Sequence, residues 1–198
     1  HLDSMNLPFH SRFIHFLVIL MSLLGQIHGH AQVHHPIAAV GSWQNTASGG
    51  TEMVTDMVTD DQGNLFVCGI VNGSQARFLG DSVSLGVNNS NLGIFIMKVG
   101  YDGHRDWVKT TFSSSSAVFD QPHVAIGTDG DPRLTFRSEW NFEFDSISVP
   151  GSFNSIIVMR LSKLDGTLSW YKRFYSSNGN SGNSIRDIKV DAENRALL

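Results

Sequence analysis

Ile94-Phe95-Ile96-Met97-Lys98-Val99 runs into Asp102-Gly103 and then Trp107, and Ile156-Ile157-Val158-Met159-Arg160-Leu161 runs into Asp165-Gly166 and then Trp170. Each copy is an apolar run closing on a cation, an Asp-Gly turn, and a Trp that opens the next strand. Trp43 stands 64 residues before Trp107, which stands 63 before Trp170. Self-similarity at a fixed period marks a repeat architecture, in which each unit hides its apolar face against the next.

Working outward, Met53 to Thr59 alternates imperfectly, Asp60 to Asn64 supplies turn residues, and Leu65 to Val71 is an apolar run enclosing Cys68. Such a run between turn signals predicts a strand buried on both faces. Phe78 to Leu85 returns as Phe142 to Val149 at an offset of 64, with Asp-Ser-Val-Ser-Leu matching Asp-Ser-Ile-Ser-Val. We read each as one half-exposed strand, with Val83 and Leu85 on one face. Asp187-Ile188-Lys189-Val190-Asp191 starts a third cycle, resembling Asp56 to Asp60. No helical period is sustained, and turn residues recur every 8 to 12 positions or so, the spacing of short antiparallel strands. The expectation is an all-β chain of about 2.6 four-stranded antiparallel repeats of about 64 residues, stacked as β-propeller blades in an incomplete ring. A β-solenoid is the alternative, with rungs commonly much shorter than this period.

His1 to Ser4 lie outside this pattern. Met5 to Arg12 form a short basic lead, Phe13 to Leu24 an apolar run interrupted by His15, and Gly29-His30-Ala31 a small-residue site. These are the three parts of a secretory signal peptide, and the run is shorter than the roughly 20 apolar residues of a membrane span. We expect residues 1–31 to be the leader and 32–198 the repeat region, with cleavage after Ala31, no span in the mature chain, and a secreted or cell-surface location.

Fourteen Lys and Arg against 18 Asp and Glu give a net charge of −4, with no basic stripe. That pattern lacks the electrostatic footprint of a nucleic-acid partner. Cys68 is the only cysteine, so no internal disulfide forms, and its neighbours Phe66 and Val67 predict a buried, inert thiol.

Asp60, Asp61, Asp102, Asp129, Asp131 and Asp165 invite a calcium reading, but none lies in an alternating Asp-x-Asp-x-Asp-Gly loop with a distant Glu. Asp and Gly between strands are ordinary turn chemistry. His28, His30, His34 and His35 form the densest group of ligand residues, and the cleavage site divides them. The three spaced tryptophans share one register and read as core between units rather than as sugar platforms. Trp140 is off that register and is the better candidate for an exposed contact. His104 and His123 have no motif-linked nucleophile, and no Gly-rich phosphate loop lies between a strand and a helix. No catalytic, cofactor-binding or metal residue is assigned, and no cofactor is expected.

Lys98-Val99, Asp102-Gly103 and Trp107, with a Gly/Ser-rich stretch and then Asp-x-x-Gly-Asn-Leu-Phe-Val-Cys-Gly at Asp60 to Gly69, resemble the bacterial β-propeller repeat called SBBP. The Gly-Gly element of that repeat stands at Gly49-Gly50 and is replaced by Ser113 to Ser116 and by Ser176 to Gly182. Its Gly-Asn element stands at Gly63-Asn64 and is matched to Asp131-Pro132 and Asn194-Arg195. The resemblance implies an exported protein of the kind that uses a C-terminal sorting tag for the type IX route, with no agreed enzymatic activity. About 2.6 units are too few to close a ring, so the resemblance implies the N-terminal piece of a longer protein. It also implies that the Asn72-Gly73-Ser74 and Asn88-Asn89-Ser90 sequons are accidental. Asp-Gly-x-x-x-Trp is similar, too, to a turn of quinone-cofactor propellers, but their set of cations, acids and calcium ligands has no counterpart here. The functional expectation is an extracellular scaffold, adhesion or binding module for a protein or glycan. The alternative is part of a propeller enzyme, a quinoprotein or polysaccharide-active hydrolase, with its active residues in other blades.

Overall fold

The computed structural model describes residues 51–72, 75–78, 81–84, 92–112, 119–150, 155–175 and 185–198. No helix occurs among them. The first cycle comprises β1 (Thr51–Thr59), β2 (Leu65–Asn72), β3 (Gln75–Phe78), β4 (Asp81–Ser84), β5 (Leu92–Val99) and β6 (Arg105–Phe112). The second comprises β7 (Phe119–Ile126), β8 (Pro132–Ser138), β9 (Phe142–Phe144), β10 (Ile147–Val149), β11 (Ser155–Leu161) and β12 (Leu168–Phe174). A third begins with β13 (Lys189–Val190) and β14 (Ala196–Leu197).

In each full cycle four strands form an antiparallel meander, β1-β2-β5-β6 and β7-β8-β11-β12, with a small hairpin inserted between its second and third strands. The hairpin β9-β10 adds to the free edge of β6, extending the first sheet to six strands. Registers repeat as well. Lys98 faces Trp107 and Arg160 faces Trp170, each followed by a pairing shift at the next residue. The central strands β2, β5, β8 and β11 are buried on both faces, as their uninterrupted apolar runs predict.

The turns are one device used five times. A left-handed residue closes each, at Gly63, Gly103, Gly130, Gly166 and Asn194, with φ of 82°, 83°, 79°, 73° and 63°. In the first, Asp60 N–H donates to Asn64 O at 3.0 Å and Gly63 N–H to Asp60 O at 3.2 Å; the others form matching bonds, with one more residue in the turn at Gly166. This is a type I turn with a left-handed bulge residue, a geometry that suits Gly and then Asn. It also corrects an expectation: the counterpart of Gly63-Asn64 in the second cycle is Gly130-Asp131, not Asp131-Pro132.

A second correction concerns Phe142 to Val149, which is not one strand. Asp145 and Ser146, at φ of 51° and 64°, form a two-residue hairpin turn between β9 and β10. Phe78 to Leu85 departs from a single strand too, since Phe78 pairs with Asp81 across Leu79-Gly80. The matched Asp-Ser motifs therefore sit differently, one opening β4 and the other in a turn. The side chain of Val83 and all of Leu85 lie outside the described residues. So do residues 1–50, with the leader, the His28 to His35 group, Gly49-Gly50 and Trp43, as well as 113–118, 176–184 and the 88–90 sequon.

The imperfect alternation of β1 has a cause. Val54 pairs with Gly69 and Asp56 with Cys68, leaving Thr55 as an extra residue; β7 has the same irregularity between Asp120 and His123, where Pro122 falls. A bulge leaves a backbone N–H unpaired, so a proline fits there. The two bulges meet, with Thr55 Oγ1 donating to Pro122 O at 2.6 Å and Val124 N–H to Asp56 Oδ2 at 3.0 Å.

The main core lies between the sheets. Phe66, Cys68, Ile94, Ile96 and Trp107 of the first meet Val124, Leu134, Phe136, Ile157, Met159 and Leu161 of the second, with Phe142, Phe144 and Val149 from the hairpin. Each large apolar side chain so covered contributes about 1.5–3 kcal/mol. The opposite face of the first sheet packs Val67, Phe95 and Met97 against Ala76 and Phe78 of β3-β4.

Candidate functional site

The face of the second sheet turned away from that core differs in chemistry. Phe66 pairs with Lys98 and Cys68 with Ile96; at the matching places Arg133 pairs with Arg160 and Thr135 with Val158. Arg133 is 1% exposed. Its Nη2 donates to Asp129 Oδ2 at 2.9 Å and its Nη1 to Asp131 O at 3.0 Å. Arg160 Nη2 lies 3.0 Å from Asp129 Oδ2 and 2.8 Å from Asp131 Oδ2. Lys163 closes the group, its backbone N–H donating to Asp131 Oδ1 and its Nζ to Asp129 O. A buried cation needs such pairing to offset desolvation, and Asp129 and Asp131 are committed to it.

Burial pushes the Asp129 carboxyl up, but hydrogen bonds from Arg133 and from Asp131 N–H, with the Arg133 and Arg160 charges, outweigh it and hold the group below the usual carboxylate range. A carboxyl lowered in the folded state adds stability above its unfolded pKa of about 4, and that stability is lost as pH falls through the folded value. The urea midpoint is therefore expected to fall on going from pH 5 to pH 3, and to fall less in Asp129→Asn. Equal slopes in the two proteins would remove Asp129 from the account.

The other turn aspartates bond their own loops. Asp60 Oδ1 accepts from the N–H groups of Gln62 and Asn64, Asp102 Oδ1 from His104 N–H, and Asp165 Oδ1 from the N–H and hydroxyl of Thr167. Asp61 and His104 are exposed. Among the described residues, no cluster of three or more His, Cys, Asp or Glu is placed to hold a metal ion.

Cys68 is fully buried and donates its thiol to Pro122 O at 3.3 Å. Burial pushes the thiol far up, the Asp56 charge adds to it, and bonds from the Thr55 hydroxyl and the Asp56 backbone only partly offset them. The thiolate is the reactive species, so a disulfide reagent is expected to label Cys68 only as urea unfolds the chain. Labelling at the rate of a free thiol in native buffer would contradict its placement. His123 Nδ1 lies 3.5 Å from Asp56 Oδ2, beside this site at the seam between the two sheets.

Trp107 forms the joint between the cycles. It is 8% exposed, meets Phe66 edge-on at 6.0 Å between ring centroids, and donates Nε1–H to Lys163 O at 3.2 Å in the turn of the other sheet. Gly166 packs against its ring, where an added Cβ would come within 2.7 Å of Cε3. The expected core role of the spaced tryptophans thus holds at Trp107. Trp170, in the same register, is only half-buried and borders a cleft of about 440 Å³ with Lys172, Phe174, Arg195 and Leu198. Trp140 is half-exposed, as its off-register place predicts. The buried Arg133 and the Lys163 carbonyl were not foreseen. The one signal in the sequence is an Arg where the repeat elsewhere has Phe66.

No family model, curated protein or solved structure matches the chain. Among the described residues, no helix is long and apolar enough to cross a membrane.

Proposed function

We propose that the two sheets are neighbouring blades of a β-propeller of the SBBP-like, exported type, and that the protein serves outside the cell as a scaffold or binding module for a protein or glycan. The observation that carries this reading is the joint between the two meanders: they stack face to face, and their first strands, β1 and β7, meet at matching bulges. Stacking with first strands adjacent is how blades gather round an axis. The basic lead, apolar run and small-residue site of residues 1–31 support export. The polar side chains just described are spent on turns and joints, which suits a scaffold whose loops make the contacts.

Glycan-array and pull-down assays, run beside turnover assays on oligosaccharide substrates, test it. Saturable binding to one class of glycan or protein, without turnover, is expected. Turnover with no specific binding would overturn the reading in favour of an enzyme.

A further inference from the structure

Three residues of β6 at alternate positions, Trp107, Lys109 and Thr111, each make a contact with the second cycle. Trp107 donates to Lys163 O and lies on Gly166. Lys109 Nζ lies 2.7 Å from Asp145 Oδ1, in the turn of the β9-β10 hairpin. Thr111 pairs with Phe144, so the hairpin takes the edge of β6. Together these form a socket that accepts a left-handed Asp-Gly turn and an acidic hairpin from the following unit.

The same three positions recur on β12 as Trp170, Lys172 and Phe174, each 63 residues on. Among the described residues β12 is the end strand of its sheet. No described residue accepts from Trp170 Nε1 or pairs with Lys172, and Phe174 is 49% exposed. The cleft of about 440 Å³ lies in front of them, walled on the far side by Arg195 and Leu198 of the third cycle. Because Asn194 takes the place of Gly130, Arg195 and Leu198 stand where Asp131 and Leu134 stand at the filled joint. The cleft is thus the second copy of a joint whose first copy is occupied.

We infer that β12 is a receiving edge for a further repeat unit of the same construction. The left-handed glycine of that unit's Asp-Gly turn lies on Trp170, a carbonyl of the turn accepts from Trp170 Nε1, and its inserted hairpin pairs with the edge at Phe174 while an acidic turn residue meets Lys172. The inference rests on reading the sheets as stacked repeat units, and it adds what the outer edge of β12 takes.

The test extends the chain after Leu198 with a copy of residues 135–175, which continues the third cycle in register, and follows hydrogen exchange of the indole N–H groups by NMR. In the unextended chain Trp170 is expected to exchange fast and Trp107 slowly. In the extended chain Trp170 is expected to slow by about fivefold, within the roughly 2- to 13-fold range that one added hydrogen bond provides. Changing the appended counterpart of Gly166 to valine should abolish the slowing. An appended segment that stays unstructured, or one that folds and leaves Trp170 fast, overturns the inference. So does protection of Trp170 in the unextended chain that rises with protein concentration or with an added glycan, since the edge then takes another occupant. Fast exchange at Trp107 as well would instead sink the stacked-unit reading, which keeps the two failures apart.

Discussion

Trp107→Ala is expected to lower stability by about 3–5 kcal/mol, the range for removing a large aromatic ring from a packed core, whereas Trp170→Ala lowers it by about 1 kcal/mol, as for partly exposed positions. Both indoles start the fourth strand of a meander opposite a cation. They differ only in what lies beyond. Trp107 fills the space between two sheets and bonds across it, so its loss leaves a cavity lined by Phe66 and the Gly166 turn and an unpaired Lys163 carbonyl. Trp170 faces an open cleft, where water replaces the ring at little cost. Trp107→Phe, which keeps most of the packing and loses the bond, should fall between, at about 1–2 kcal/mol. Urea unfolding of the three variants checks the order; equal losses at Trp107 and Trp170 would deny that the joint stabilises the chain.

Gly166→Val is expected to cost roughly 2–5 kcal/mol and Gly103→Val roughly 1–2 kcal/mol. Both glycines hold positive φ, 73° and 83°, and a side chain there costs roughly 1–2 kcal/mol whatever the surroundings. The difference is the neighbour. A Cβ on Gly166 would come within 2.7 Å of Trp107 Cε3 and 2.9 Å of Lys109 Cγ, while at Gly103 no described atom lies within 4 Å. Overpacking of that kind adds roughly 1–3 kcal/mol. Equal costs at the two sites would mean that Gly166 serves its own turn and not the joint.

What could be read in the sequence was what local chemistry dictates. Asp-Gly turns, apolar runs and the Trp register all depend on neighbouring residues, and β2, β5 and β11, the turns at Gly63, Gly103 and Gly166, and the buried Trp107 fall where those signals put them. The hairpin at Asp145-Ser146 was hidden because it contains no glycine, and Phe-Glu-Phe-Asp-Ser-Ile-Ser-Val alternates as one strand would. Gly130-Asp131 was misaligned because the motif after it, Pro132-Arg133, departs from Leu65-Phe66. Arg133 could not be placed from its type, since charged residues read as surface. It is buried only because Asp129, a turn away, and the Asp131 carbonyl converge on it. The partner of Trp107 is a backbone carbonyl in another cycle, and a carbonyl leaves no mark in a sequence.

Among the described residues β12 is paired on one side only, and because unpaired strand edges template further pairing, the chain by itself is expected to associate. The stacking of one copied unit on the next is tested most directly by NOEs between the Trp107 ring protons and the Gly166 α-protons, across 59 residues of sequence. The stacked arrangement predicts strong cross-peaks there, with the Trp107 indole N–H also near the Lys163 α-proton. Cross-peaks from Trp107 to the strands of its own sheet alone would contradict it.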